Sequence, residues 1–163
     1  MPTKPFHLSA FLPYRMAVLS ERVSRRLSVE YEKTHGLSVA EWRVLVHLAR
    51  CGTVSVREIH NCVNLEKSRV SRAVTRMEAT GMLQKLPGAV DGRLVEISLS
   101  DAGQNALKDI LPTATAVEAT LRSSVPAEDM ATFCRVMEKM HATLDADPDA
   151  RPRSTMDVEG LED

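Results

Sequence analysis

Apolar residues recur every three or four positions through the first third of the chain, which is the spacing of an amphipathic helix. A first helix is predicted over residues 11–34, where the apolar positions are Met16, Leu19, Val23 and Leu27. A second helix is predicted over residues 38–50, because Ser38 and Glu41 have the spacing of a capping box. Each segment is therefore expected to bury one face and to expose the other.

Two short helices joined by a tight turn are predicted in the middle of the chain. A second capping box, formed by Ser55 and Glu58, opens a helix that ends near Cys62. After the turn, a longer helix is predicted over residues 66–80, and Gly81 stops it. This arrangement is typical of a helix-turn-helix.

The pattern changes to strand-like alternation after this motif. Residues 83–87 and 93–99 are predicted strands, because apolar residues at 95, 97 and 99 alternate with the positions between them. The loop 88–92 joins the two strands into a wing. Beyond them, Ser100 is a candidate N-cap for a helix to about residue 123, and Pro126 opens a last helix to about residue 144.

The predicted fold class is mainly α with a small β-wing. The winged helix-turn-helix lobe spans residues 37–99, and helical segments over residues 9–35 and 101–145 flank it. The chain has 163 residues, of which 44% are hydrophobic and 26% charged, as in one ordinary globular domain. No apolar run is long enough to span a membrane, and the first residues do not have the pattern of a leader peptide. A cytoplasmic protein without a membrane partner is expected.

The net charge of −1 conceals a strong segregation of charge. Residues 57–93 contain seven basic and four acidic side chains, whereas residues 145–163 contain seven acidic side chains and two arginines. The basic segment favours a nucleic-acid partner. The acidic tail, residues 146–163, contains two prolines and is predicted to be disordered.

The predicted helix over residues 66–80 separates into two faces when its positions are placed at about 100° per residue. One face is apolar: Val70, Ala73, Val74 and Met77. The other is polar and combines short hydroxyls with guanidinium groups: Ser68, Arg69, Ser71, Arg72, Thr75 and Arg76. Arginine can pair with guanine O6 and N7, and serine and threonine can bond base edges or phosphates. This face is predicted to bind double-stranded DNA in the major groove.

The tripeptide Asp91-Gly92-Arg93 lies in the predicted wing loop. Asp91 can orient the guanidinium of Arg93, and an arginine at the tip of a hairpin suits a narrow minor groove. Both residues are therefore candidate DNA contacts.

The sequence resembles the MarR (multiple antibiotic resistance regulator) family over roughly residues 12–144. The motifs that carry the resemblance are Gly36-Leu37-Ser38, Glu41-Trp42-Arg43-Val44-Leu45, Val70-Ser71-Arg72, Gly81-Met82-Leu83, Asp91-Gly92-Arg93 and Leu99-Ser100-Asp101-Ala102-Gly103. The resemblance implies a homodimer held by the first and the last two helices, with two winged lobes on a pseudo-palindrome. It also implies a small-molecule effector between the dimer helices and the lobe, and in most relatives a repressor. The family's recognition-helix residues correspond to Ser68, Arg69, Ser71 and Arg72, and its wing arginine corresponds to Arg93.

An aromatic carboxylic acid or its thioester is the effector class that we expect. Six residues are candidates to supply its cation and the walls of its pocket: Arg15, Arg22, Ser24, Arg25, Trp42 and His60. The competing interpretation is that ion pairs form on a solvated helix face among Glu21, Arg22, Arg25, Arg26 and Glu30.

Three alternative functions are weighed against a ligand-responsive regulator. An enzyme is disfavoured, because the chain has no glycine-rich phosphate loop and no G-x-S-x-G motif. An architectural DNA-binding protein without an effector stays open. So does a redox-sensing regulator, although the first helix lacks the cysteine that peroxide sensors of the family carry there. Cys51, Cys62 and Cys134 are scattered without a paired thiol, so no metal or other cofactor is expected.

Overall fold

The computed structural model describes residues 6–88, 95–154 and 157. In that part of the chain, six helices and three strands follow a short 3-10 turn at Leu8–Ala10. They are α1 Leu12–His35, α2 Val39–Cys51, β1 Val54–Ser55, α3 Val56–Cys62, α4 Lys67–Ala79, β2 Leu83–Pro87, β3 Val95–Leu99, α5 Asp101–Ser123 and α6 Ala127–Asp145. The predicted fold class, mainly α with a small β-wing, is confirmed.

Both predicted capping boxes are present. At the start of α2, Ser38 N donates to Glu41 Oε2 at 2.6 Å and Ser38 Oγ accepts from Glu41 N at 3.3 Å. Ser55 and Glu58 repeat the arrangement at the start of α3, at 2.7 and 3.3 Å. The reciprocal bonds satisfy backbone N–H groups that have no partner within the helix, which explains why these two helices begin where the sequence predicts.

The three strands form one antiparallel sheet in the order β1-β3-β2. β2 pairs with β3 in the register Leu83↔Leu99, and β1 adds Val54↔Ile97 on the other edge of β3. β1 was absent from the sequence prediction, because a strand of two residues has no detectable alternation. It fixes the start of α3 against the sheet.

The core of the lobe lies between α2, α3, α4 and the sheet. Its fully buried side chains include Leu45, Ile59, Val70, Met77 and Ile97. The apolar face predicted for α4 is buried throughout. The opposite face of this helix consequently points away from the core.

α5 leaves the base of the wing and carries the chain away from the lobe. Gly103, in its first turn, packs so tightly that an added Cβ would lie 2.3 Å from the carbonyl oxygen of Met82. Further along, α5 packs against the lobe and α1 with Ala106, Ile110, Ala114 and Val117, all buried. The start of α5 therefore fixes how this long helix leaves the lobe.

The last helix, α6, has no buried residue in the single chain. Its apolar side chains are nevertheless at helical spacing, and Phe133 and Val136 are 48% and 41% exposed. On α1, Met16 and Leu19 are exposed to a similar degree. These two helices thus present apolar surface that their own chain leaves uncovered.

Three residues of the segment after α6 contact other parts of the chain. Arg151, Arg153 and Ser154 make hydrogen bonds or ion pairs to α6 and to the turn between α3 and α4. The disorder of residues 146–163 stays a prediction, and for residues 155, 156 and 158–163 it falls outside the described part of the chain.

Candidate nucleic-acid interface

The polar side chains of α4 form an exposed strip opposite its buried face. We call this strip the reading face; it consists of Ser68, Arg69, Ser71, Arg72 and Thr75, all exposed. Along the helix, Arg72 Nε donates to Ser68 O at 3.2 Å and Thr75 Oγ1 donates to Ser71 O at 3.0 Å. These bonds hold both side chains along the helix axis. The structure thus brings together on one surface the five residues that the sequence placed on the polar side.

Arg76, also predicted on this side of the helix, has an intramolecular partner. Its Nε lies 3.3 Å from Glu41 Oε1, and its Nη2 donates to Gly36 O at 3.4 Å. The Glu41 side chain is only 3% exposed, so its carboxylate needs a nearby positive charge. Arg76 therefore holds α4 against the start of α2, a role that sequence reasoning missed because the two residues are far apart in the chain.

The turn between α3 and α4 is fixed by a side chain from α2. Asn64 has a positive φ of 49°, which is uncommon for a residue with a Cβ. Arg43 Nη1 lies 3.3 Å from Val63 O and 3.2 Å from Asn64 O, and it caps the carbonyls of this turn. Arg43 belongs to a motif noted in the sequence, but its contact with the turn was not predicted.

A cleft of about 580 Å³ lies beside this turn, between α3 and the start of α4. Arg57, His60, Asn61 and Lys67 line it together with Val56. His60 was predicted near the effector, but the structure places it here. Its Nε2 is buried and has no hydrogen-bond partner within the described residues. Two cations and an imidazole make this α3–α4 cleft suited to an anion.

A second cleft, of about 920 Å³, runs between α1, α2 and α6. Four predicted effector residues line it: Arg15, Arg22, Ser24 and Trp42. Trp42 stacks on the buried Tyr31, with ring centroids 5.2 Å apart and an interplanar angle of 9°. Phe133 and Met140 of α6 form part of another wall.

Arg25, the remaining predicted effector residue, does not line this α1–α2–α6 cleft. Its Nε lies 3.2 Å from Glu21 Oε1, and its side chain is 80% exposed. The competing interpretation, an ion pair on a solvated helix face, describes Arg25 correctly. For Arg25, the prediction as an effector contact has no support in this arrangement.

The two predicted wing contacts, Asp91 and Arg93, lie outside the described residues. What the structure does place is the base of the wing, where Pro87 pairs with Val95. The loop between these two residues contains both side chains.

The three cysteines are all free thiols. Cys51 is exposed, and its Sγ lies 3.8 Å from His47 Nδ1. Among residues 6–88, 95–154 and 157, no group of three or more His, Cys, Asp and Glu side chains could hold a metal ion. No helix in this part of the chain has the length and apolar character needed to cross a membrane.

A three-stranded wing, a helix-turn-helix with a fixed turn and an exposed reading face define a winged-helix DNA-binding protein. The comparisons with known proteins agree with this class. A model of the MarR family matches residues 35–94. Over these residues the chain is similar to the MarR family of transcriptional regulators.

The relatives extend the likeness beyond the lobe. The HTH-type transcriptional repressor MdtR of Bacillus subtilis is 23% identical over 132 residues, which cover 81% of this chain and 84% of MdtR. The regulator SPO1453 of Silicibacter pomeroyi has a TM-score of 0.72 at 28% identity, covering 86% of this chain and all of its own. BpsR of Bordetella bronchiseptica has a TM-score of 0.68 at 19% identity, covering 84% and 97%. These relatives are regulators, not enzymes.

Proposed function

We propose that this chain is a homodimeric repressor that binds a pseudo-palindromic operator and is released from it by a small aromatic acid. The exposed reading face of α4 is the observation that carries the proposal. It combines guanidinium and hydroxyl groups on a helix whose other face is buried, so the helix can enter a major groove without losing its packing.

The DNA contacts are divided between three parts of the lobe. Arg69, Arg72 and the hydroxyls of the reading face contact base edges and phosphates. Arg57 and Lys67 of the α3–α4 cleft contact the phosphate backbone beside the groove. Asp91 and Arg93 serve the wing, where the arginine enters the minor groove; this part of the proposal rests on the sequence alone.

The dimer is proposed because α1 and α6 need a partner. The uncovered apolar side chains on them include Met16, Leu19, Phe133 and Val136. A second copy of the chain would cover the same surfaces on both subunits in a two-fold arrangement. Residues 9–35 and 101–145 are accordingly assigned to dimerisation and residues 37–99 to DNA binding.

The effector is placed in the part of the α1–α2–α6 cleft that Tyr31 and Trp42 line, beside the apolar side chains that a second copy would cover. The stacked Tyr31 and Trp42 offer an aromatic surface, and Arg15 and Arg22 offer cations for a carboxylate. The regulation of DNA binding by 6-hydroxynicotinic acid in BpsR supports this chemistry by analogy. Repression is supported by the likeness to MdtR, a repressor.

Selection of duplexes from a random pool, followed by titration of single-substitution variants, tests the DNA-binding proposal. Arg72→Ala should cost about 1–3 kcal/mol at one symmetric position in each half-site and relax the base preference there. Arg93→Ala should weaken all variants evenly and lower the salt slope by roughly one for each phosphate that is no longer neutralised. Identical, uniform losses for the two variants would contradict base reading by Arg72. Equal affinity of the wild type for selected and random duplexes would instead indicate an architectural protein.

A thermal-shift series with small aromatic acids tests the effector proposal. A benzoate-type acid should raise the unfolding temperature of wild type and release it from the selected duplex. Arg22→Ala should lose both effects, whereas Arg25→Ala, changed outside the cleft on the same helix, should keep them. Equal responses from these two variants would contradict the assignment of the cleft.

A further inference from the structure

The segment Arg151–Ser154 contacts two parts of the molecule at once. Arg153 is bonded to α6, which belongs to the proposed dimer region, whereas Arg151 and Ser154 on either side of it lie against the turn between α3 and α4. The sequence offered no apolar periodicity here, so the contacts could not be predicted from it. They are made by charged and amide side chains.

At the α6 end, Arg153 bridges two carboxylates. Its Nη1 donates to Glu138 Oε2 at 2.9 Å, and its Nη2 donates to Asp145 Oδ2 at 2.6 Å. The Arg153 side chain is only 20% exposed, so the guanidinium is held in a fixed position along two turns of the helix. Charge-assisted bonds of a planar guanidinium to two acceptors are among the more directional contacts in proteins.

At the lobe end, Arg151 reaches the helix-turn-helix. Its Nη1 donates to Asn64 Oδ1 at 2.9 Å. Ser154 Oγ also lies 3.2 Å from Cys62 O and 2.9 Å from Asp157 Oδ2, and its single proton can go to only one of them. Asn64 has the positive φ described above, and Arg43 holds its carbonyl from α2. The turn is therefore held by Arg43 from the lobe and by Arg151 from the segment after α6.

We propose that Arg151–Ser154 is a strap that couples α6 mechanically to the turn between α3 and α4. While the strap keeps its contacts with both parts, the turn that orients α4 has a fixed position relative to α6, one of the helices proposed to dimerise. The lobe then reaches its DNA-binding geometry at a lower cost in conformational entropy. The consequence for DNA rests on the proposed function, whereas the coupling itself does not.

Hydrogen exchange of the full-length, DNA-free protein tests the coupling first. Arg153→Ala removes only the contacts of the strap with α6. Amides of the α3–α4 turn should nevertheless exchange faster than in wild type. Arg151→Ala should have the same effect, and Arg153→Lys, which keeps the charge, an intermediate one. The control is Arg135→Ala, which also removes an arginine from this end of the chain, one whose hydrogen bond to Thr132 stays within α6. Turn exchange in Arg153→Ala equal to that in Arg135→Ala would overturn the strap.

Operator affinity supplies the second readout. Arg151→Ala and Arg153→Ala should each raise the Kd for the selected duplex by roughly three- to thirtyfold, the range for residues that carry coupling between sites. The double variant should lose less affinity than the sum of the two single losses, because both side chains belong to the same connection. Faster exchange with unchanged affinity, or additive losses, would contradict transmission to α4. If wild type binds no DNA, the proposed function fails and the exchange result alone decides the strap.

Discussion

Helices α4 and α6 carry apolar faces of similar spacing, but only the face of α4 is covered by the chain itself. Val70 and Met77 of α4 have no exposed area, whereas Phe133 and Val136 of α6 are close to half exposed. Packing of α4 against α2 and α3 stabilises the lobe within one subunit. The apolar face of α6 is left uncovered in the single chain.

Because of this difference, the stability of the two regions should depend differently on protein concentration. Burial inside one chain stabilises the lobe whatever the amount of protein present. In the proposed dimer, burial between chains follows mass action, so the α1 and α6 region should gain stability as the protein becomes more concentrated. The same kind of side chain therefore has two different energetic consequences in one molecule.

The largest effect is expected from creating a cavity in the core of the lobe. Ile97, at the centre of β3, is fully buried, and Ile97→Ala should lower the free energy of unfolding by about 2–5 kcal/mol. Urea denaturation measures the loss, which should be the same at high and low protein concentration. Val95→Ala is the matched control, because Val95 lies on the same strand and is 48% exposed. A loss for Val95→Ala as large as that for Ile97→Ala would contradict the contrast.

The next largest effect is expected from a charge on the exposed apolar face of α6. Phe133→Asp places a carboxylate on the apolar face of α6, and it should weaken dimerisation by about 2–4 kcal/mol since a two-fold interface carries the change twice. Sedimentation equilibrium measures this as a shift from dimer to monomer. Lys139→Asp, on the exposed side of the same helix, is the control. An unchanged association constant for Phe133→Asp would mean that another surface covers α6.

A smaller effect is expected where the lobe is held by charge. Arg76→Ala leaves the buried carboxylate of Glu41 without its arginine, and it should destabilise the lobe by roughly 1–2 kcal/mol in urea, a range reduced by the exposure of the arginine itself. Arg69→Ala, on the reading face, should leave the free energy of unfolding unchanged while weakening DNA binding. Equal free energies of unfolding for the two variants would mean that Arg76 does not stabilise the lobe and is better explained as a DNA contact.

The pH dependence of the lobe gives the smallest and most local test. Burial lowers the pKa of His47 below its usual 6.5, Arg50 lowers it further, and Glu58 opposes the shift. Above pH 6.5 this neutral histidine costs nothing, but below that value the unfolded chain binds a proton that the folded lobe rejects. Stability should therefore fall as the pH drops below about 6.5 toward the lower folded-state pKa. Urea denaturation across this pH range should give a flatter profile for the His47→Gln variant than for wild type.

Elements with local signals could be predicted from the sequence, and contacts between distant residues could not. The ends of α2 and α3 follow from their capping boxes, and the two faces of α4 follow from periodicity. β1 escaped because only its pairing with β3 defines it. The Arg76–Glu41 ion pair and the position of His60 escaped because a helical wheel shows which face a residue occupies, but not what packs against that face.

The effector residues illustrate the same limit. Arg15 and Arg22 are seven residues apart and share a side of α1, which the sequence could place together, whereas Ser24 lies on the opposite side of the helix and also lines the cleft. Arg25 lies next in the chain to Ser24, yet it turns to Glu21 and away from the cleft. The choice between a binding arginine and a solvated one depends on the position of α6, which no local pattern encodes.

If the proposed dimer binds a pseudo-palindromic operator, the length of α5 has a consequence for the spacing of the half-sites. At 1.5 Å per residue, its 23 residues extend for about 34 Å. A tilt of roughly 10° at the Gly103 end would displace the far end by about 6 Å, more than the roughly 3.4 Å between successive base pairs. The helix thus acts as a lever that magnifies small angular errors. Close packing of Gly103 on Met82 fixes the point about which α5 would turn. A change of only a few degrees in its direction would therefore correspond to half-sites that are one base pair further apart or closer together.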